Sequence, residues 1–222
     1  MLGWLPDGYG GVSSYAKDID DVFYFIYYLT AFIFLLVTVL MVWFLKKYRV
    51  QPGDEARRAT YTHGNNLLEL TWTIIPTIVF IGIWFVSKTT WADIKHQSPP
   101  PDVQIRLTAK QFSWVFLYPG TDGQFDTSDD KTDKEMHVPV NKVVNVFLRS
   151  DDVIHSFFVP SFRIKQDAVP GREIRVWFKA TKPGRYEIPC AELCGPGHSG
   201  MVGWVNVHSE ADYQQWERKL RQ

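Results

Sequence analysis

Cysteine is nearly absent from this sequence: among 222 residues it occurs only as Cys190 and Cys194. A framework of several disulfides is thereby excluded, and the pair has to be explained by its own surroundings. A surplus of basic charge is missing too, with Lys+Arg and Asp+Glu at 24 each. That argues against nucleic acid as a partner, because phosphate binding needs excess positive charge. No CxxCH occurs, so no covalently held haem is fused to the chain. There is no internal repeat, and nothing with a helical period lies between the apolar N-terminal part and the last few residues. The length leaves room for one ordinary domain and an appendage.

What is present falls into two unlike halves. From Val22 to Leu45 the run VFYFIYYLTAFIFLLVTVLMVWFL carries no charge, and a helix of that length reaches ~36 Å, enough to cross a bilayer. Asp18, Asp20 and Asp21 precede it, Lys46, Lys47 and Arg49 follow it, and Trp43 and Tyr48 sit at headgroup level. A second span, LLELTWTIIPTIVFIGIWFV, holds one carboxylate, Glu69, and an internal Pro76 of the kind membrane helices tolerate. We therefore expect transmembrane helices over about 22–46 and 67–88. Between them Lys46, Lys47, Arg49, Arg57 and Arg58 outnumber Asp54 and Glu55. The positive-inside rule puts that loop in the cytoplasm and both termini outside. A cleaved signal peptide is rejected, since the first run is too long for an h-region and has acids where bases belong.

After Trp91 the stretch HQSPPPDV ends the membrane part. The division expected is 1–95 for the N-terminal segment and helical hairpin, 96–208 for a β domain, and 209–222 for a short terminal helix capped by Ser209. Eight runs predict strands: VQIRLTA, FSWVFLY, EMHVPV, VVNVFLR, IHSFFV, EIRVWFKA, GRYEIP and MVGWVNVH. They alternate or are β-branched and are separated by turn signals, which suggests a β-sandwich or barrel.

The chemistry concentrates in PCAELCGPGHSGMV, where Cys190, Cys194, His198 and Met201 follow the spacing C-x3-C-x3-H-x2-M. A loop between two strands can turn all four inward. Thiolate, imidazole and thioether together favour copper over hard cations, and zinc rarely takes Met. A mononuclear blue-copper site needs only one Cys, whereas a second thiolate lets both sulfurs bridge two coppers. His155, in SDDVIHSFFVPSF, is the candidate for the distant imidazole, since His63, His96, His137 and His208 lack such a setting. Two close thiols in an exoplasmic domain would ordinarily suggest a disulfide. The clustered His and Met turn the reading to metal.

Four segments carry a family resemblance: GNNLLELTWTIIP, AKQFSWVFLYPG, DDVIHSFFVPSFRIKQDAVPGR and CAELCGPGHSGM. Over nearly its whole length the chain resembles subunit II of the haem–copper cytochrome c oxidases. The resemblance implies a two-helix membrane anchor followed by a cupredoxin-like Greek-key β-barrel holding the dinuclear CuA centre. It implies His155, Cys190, Cys194, His198 and Met201 as ligands, with the backbone carbonyl of Glu192. One copper would take His155 and Met201, the other His198 and that carbonyl. Electrons would come from cytochrome c and leave by His198 towards haem in subunit I, where O2 reduction is coupled to proton pumping.

Further residues follow from the same likeness. The Glu192 side chain would help hold a magnesium ion at the subunit I boundary, or be an acid facing water. Glu69 aligns with a glutamate at the entrance of a proton-uptake path, or it is an acid complementing a helix dipole. Where the family has a tryptophan that first receives the electron, this chain has Phe112, within Gln111, Phe112, Ser113, Trp114. Either Trp114 or another surface aromatic would then take that role, or the donor would dock differently. Asp151 and Asp152, with Asp122, Asp126, Asp129, Asp130, Asp133 and Glu135, would steer a basic cytochrome c or merely be solvated. DGQFDTSDD is dense enough in oxygen for calcium, although its spacing departs from an EF-hand. Rival readings are a quinol-oxidase subunit, which would lack the copper ligands, a membrane-tethered copper-delivery module, and a copper subunit of a nitric oxide reductase.

Overall fold

A computed structural model describes residues 7–53, 61–95 and 98–222. Asp54, Glu55, Arg57, Arg58 and His96, which entered the reading above, lie outside the described residues. The chain divides into two units, one of residues 21–89 and one combining 1–20 with 90–222.

Helices α1 (Ala16–Lys47) and α2 (Asn66–Lys95) are both long and apolar enough to cross a membrane. Each outruns the span read from hydropathy, because an apolar run marks only the part suited to lipid, while helical hydrogen bonding continues into polar turns. Their apolar side chains are exposed, Phe34, Leu35 and Phe80 among them, as surfaces meant for lipid or other protein must be. Hydroxyls on these helices bond their own backbone: Thr30 donates to the Ile26 carbonyl, Thr71 to Leu67 and Thr77 to Thr73. Such back-bonding is how a polar side chain is satisfied where no water is available.

The second unit is a cupredoxin-like β-sandwich. Its larger sheet runs β3 (Lys131–Asp133), β2 (Ser113–Tyr118), β1 (Val103–Lys110), β5 (Val143–Ser150) and β8 (Ile174–Lys179) in spatial order. A three-stranded sheet is ordered β4 (Met136–Pro139), β10 (Val202–His208), β9 (Gly184–Pro189), and β6 (His155–Val159) pairs with β7 (Ile164–Ala168). The β1–β5 and β4–β10 pairs are parallel and the others antiparallel. The ladders do not close into a complete barrel among the described residues; single bridges, Ser150 to Pro170 and Phe157 to Cys190, stitch the small pair to its neighbours. Side chains alternate as the pleat requires: Ile105, Leu107 and Ala109 of β1, Val144, Val146 and Leu148 of β5, and Phe116 of β2 are fully buried. Two strands went unread in the sequence. β3 is three residues long, and β7, IKQDA, is polar in its middle with no alternation to detect. Helix α3 (Glu210–Leu220) closes the chain, with Ser209 accepting the Asp212 N–H as its N-cap.

The N-terminal segment departs from the expected 1–95 division. Val12 and Tyr15 sit in the core of the β domain. Ser14 N–H donates to the Lys179 carbonyl, Val12 N–H to Ser161, and Thr181 N–H to Val12. Asp20, expected as a flanking acid, is buried against Arg163, whose Nε and Nη2 meet its two carboxylate oxygens at 2.8 and 3.2 Å. The last turn of α2 is tied to the same unit by Trp177, whose indole N–H donates to the Ile94 carbonyl at 2.8 Å.

Candidate metal centre

β6 begins at His155 and β9 ends just before Cys190, and the loop from Cys190 to Met201 leads into β10. That loop is pinned by its own backbone: Cys190 N–H donates to the Met201 carbonyl and Ala191 N–H to the Ser156 carbonyl. The first bond closes the loop and the second locks it to β6, so residues distant in sequence face one point. Gly195 takes φ +135°, a region that side chains avoid. A Cβ at Gly197 would lie 2.5 Å from the Phe112 ring. Both glycines are therefore required by the close approach of the β1–β2 turn.

Cys190 Sγ and Cys194 Sγ are 3.9 Å apart and unbonded. His155 Nδ1 lies 3.9 Å from the first, and His198 Nδ1 lies 3.5 Å from the second. Met201 Sδ is 3.8 Å from Cys194 Sγ, and the Glu192 carbonyl oxygen is 3.3 Å from Cys190 Sγ. His155, both cysteines and Met201 are buried, His198 is half-buried, and the Glu192 side chain is exposed. Burial, with help from the neighbouring Cys190 thiol, pushes the Cys194 thiol up to about 11. A thiol raised in this way ionises readily only beside a cation, as metal ligation provides. Soft sulfurs and imidazoles converging from two sides fit copper, and the doubled thiolate fits a pair of ions better than one.

Asp152 was missed as a positioning residue. Its Oδ1 lies 2.8 Å from His155 Nε2. Burial raises its carboxyl, but hydrogen bonds from His155 and from the N–H groups of Gln111 and Val153 outweigh this and hold it at about 2. An ionised carboxylate there needs Nε2–H as donor, which leaves the lone pair of Nδ1 turned to the cysteines. The spacing Asp-x-x-His was the available signal. Asp151 instead pairs with Lys110 at 2.7 Å.

The aromatic candidates separate. Trp114 is buried, its ring 6.2 Å from that of His155, so it is no surface contact. Phe112 is 38% exposed and lies over Gly195 and Gly197, while Gln111 Nε2 donates to the Cys194 carbonyl. Glu69 is far along the chain in the other unit: Asn65 caps α2 through the Leu68 N–H, and the Glu69 carboxylate lies over Gly64.

The Asp-rich loop does not assemble as an oxygen cage. Asp129 accepts from Thr121 N–H and Thr127 Oγ1, Asp130 from Gly120 and Asp126 N–H, and Asp122 from Gln124 N–H. Asp126 binds Arg106 at 2.5 Å, and Glu135 binds Arg185 at 2.7 Å. These carboxylates act as turn acceptors and ion-pair partners, and calcium gains no support from them.

Residues 9–89 match the family described as cytochrome C oxidase subunit II, transmembrane domain, and residues 121–207 match its periplasmic domain. The cytochrome c oxidase subunit 2 of Thermostichus vulcanus is 32% identical, over 98% of this chain and 78% of that protein. The chain belongs to the cytochrome c oxidase subunit II family. The subunit 2 of Cereibacter sphaeroides is likewise 32% identical, over 97% of this chain and 81% of its own. The solved periplasmic domain of subunit II from Bradyrhizobium japonicum aligns with a TM-score of 0.50 and 37% identity, over 56% of this chain and 96% of that one. As a subunit II the chain is a membrane protein and part of an oxidase complex.

Proposed function

We propose that this subunit II accepts electrons from cytochrome c at a dinuclear copper centre and passes them to haem in subunit I, where O2 is reduced to water with proton pumping. The convergence of two unbonded thiols, two imidazole nitrogens, a thioether and a carbonyl in one buried pocket carries this reading. Cys190 and Cys194 would bridge, His155 and Met201 would serve one copper, and His198 and the Glu192 carbonyl the other. Bound there, the pair supplies a one-electron carrier.

The protein's own contribution is rigidity. Loop hydrogen bonds, Asp152 on His155 and packing by Trp114 hold the ligands in one arrangement, so that little has to move when charge changes. Phe112 and Gln111 offer the exposed approach to Cys194, and the half-buried His198 the way out towards subunit I. The exposed Glu192 carboxylate is free to meet a magnesium ion at that boundary, a hard cation suited to oxygen. Both termini would lie on the outer side of a respiratory membrane, a reading supported by Lys46, Lys47 and Arg49 after α1.

Electron paramagnetic resonance of the purified complex tests the proposal. A mixed-valence signal split by two equivalent coppers is expected; a mononuclear spectrum, or zinc in the site, would overturn it. Asp152→Ala should weaken copper retention by about 10–100-fold in chelator competition, the usual cost of losing a carboxylate behind a ligating His. Unchanged retention would show that Asp152 does not position His155. Glu69→Ala should slow O2 consumption several-fold at unchanged copper content. Unaltered turnover would leave Glu69 as an acid at a helix start.

A further inference from the structure

Away from the metal centre, two half-buried imidazoles meet where α3 packs on the small sheet. His137 of β4 and His208 of β10 lie on adjacent parallel strands, with His137 Nδ1 and His208 Nε2 2.7 Å apart. Their planes differ by only 7° and their centroids are 5.0 Å apart, so the rings meet edge to edge through one N–H···N hydrogen bond. Trp216 of α3 stacks on His137 at 4.5 Å and 9°. Trp216 in turn contacts Tyr118 and Tyr213. Held by that hydrogen bond, His137 is a surface on which the C-terminal helix rests.

We propose that His137 and His208 form a proton-operated latch, which holds α3 on the β domain while at least one imidazole is neutral and releases it when both are charged. The reason is stoichiometric. An N–H···N bond needs one nitrogen with a free lone pair. A first proton leaves that bond intact as an imidazolium–imidazole pair. A second leaves two N–H donors and two positive charges facing each other at 2.7 Å, and the rings must part. Trp216 then loses its stacking surface, and α3, which already borders a cavity of ≈ 320 Å³ lined in part by Tyr118, Tyr213, Trp216 and Lys142, comes away from the sheet.

The surrounding charges set where this happens. Burial lowers both imidazoles, and His208 lowers His137 further. Opposing this, Asp133 of β3, 3.7 Å from His137 Nε2, and Glu135 favour the charged form of His137, as Asp212 of α3 does for His208. Tyr118 and Tyr213, the other titratable groups against the stack, are raised by burial and stay neutral. With both imidazoles depressed, the latch contributes fully above the ordinary His value of 6.5 and is lost as pH falls through their lowered values.

Amide hydrogen exchange on the intact complex, corrected for intrinsic rates, tests the latch at about pH 7.5 and about pH 4.5, on either side of imidazole titration. Protection of Glu210–Leu220 relative to β5 is expected to fall at least about tenfold at the lower pH. His208→Gln, neutral throughout, should make that ratio independent of pH. If this variant fails to dock α3 at all, Asp133→Asn decides, since it keeps both rings and should move the release to lower pH. A wild-type ratio that does not change, a His208→Gln variant with the full pH response, or an Asp133→Asn variant with an unmoved midpoint would each overturn the proposal.

Discussion

Cys194→Ser in the intact complex is expected to leave one copper per subunit II instead of two and to cut cytochrome c oxidation by ~100-fold or more, beyond what loss of a group behind the ligands costs. Cys194 Sγ sits among three other candidate ligands, lying 3.5 Å from His198 Nδ1, 3.8 Å from Met201 Sδ and 3.9 Å from Cys190 Sγ. A serine oxygen is hard and stays protonated, so it offers copper neither the softness nor the charge of a thiolate. What remains is Cys190 with His155 and Met201, which resembles a mononuclear set. Metal analysis and electron paramagnetic resonance on the same sample check the outcome, and two retained coppers with the original spectrum would refute the bridging role.

The second large effect concerns a residue that has nothing to do with metal. Asp20→Ala should destabilise the β domain by about 3–5 kcal/mol, because it strands the Arg163 guanidinium in the interior. Arg163 is 8% exposed and Asp20 2%. Arg163 also donates to the carbonyls of Pro160 and Gly8, and Asp20 accepts the Gly10 N–H. Losing the carboxylate therefore loosens the whole N-terminal strap. Replacing both partners by Leu should cost clearly less, since no buried charge is left unpaired. Thermal unfolding of the detergent-solubilised complex compares the variants. Equal midpoints for wild type and Asp20→Ala would mean that the pair is solvated in the membrane-bound protein.

These two residues mark how far sequence reading reached. Cys194 was legible as a candidate ligand because ligand chemistry is written in residue type and short spacing: two thiols, an imidazole and a thioether within one loop have few other uses. The spans were legible because crossing lipid demands a long uncharged run, and most strands because a half-buried sheet imposes alternation. Asp20 was read only as a flanking charge, since its partner lies 143 residues away and no local pattern records such a pairing. Asp152 was set among steering acids for a similar reason: only the backbone path of β6 shows that its carboxylate turns inward to His155. The Asp-rich loop suggested calcium by composition, whereas the directions of its N–H groups committed those oxygens elsewhere.

By itself, then, the sequence determined the membrane spans, the β class of the remainder and the candidate metal-binding side chains, all properties set by residue type at short range. The tertiary structure alone decided that the N-terminal strap belongs to the β domain, that Trp114 is interior while Phe112 faces out, and that His137 and His208 share a hydrogen bond. Each of those depends on which strands become neighbours, and strand order is fixed by packing of the whole core, which no local spacing encodes.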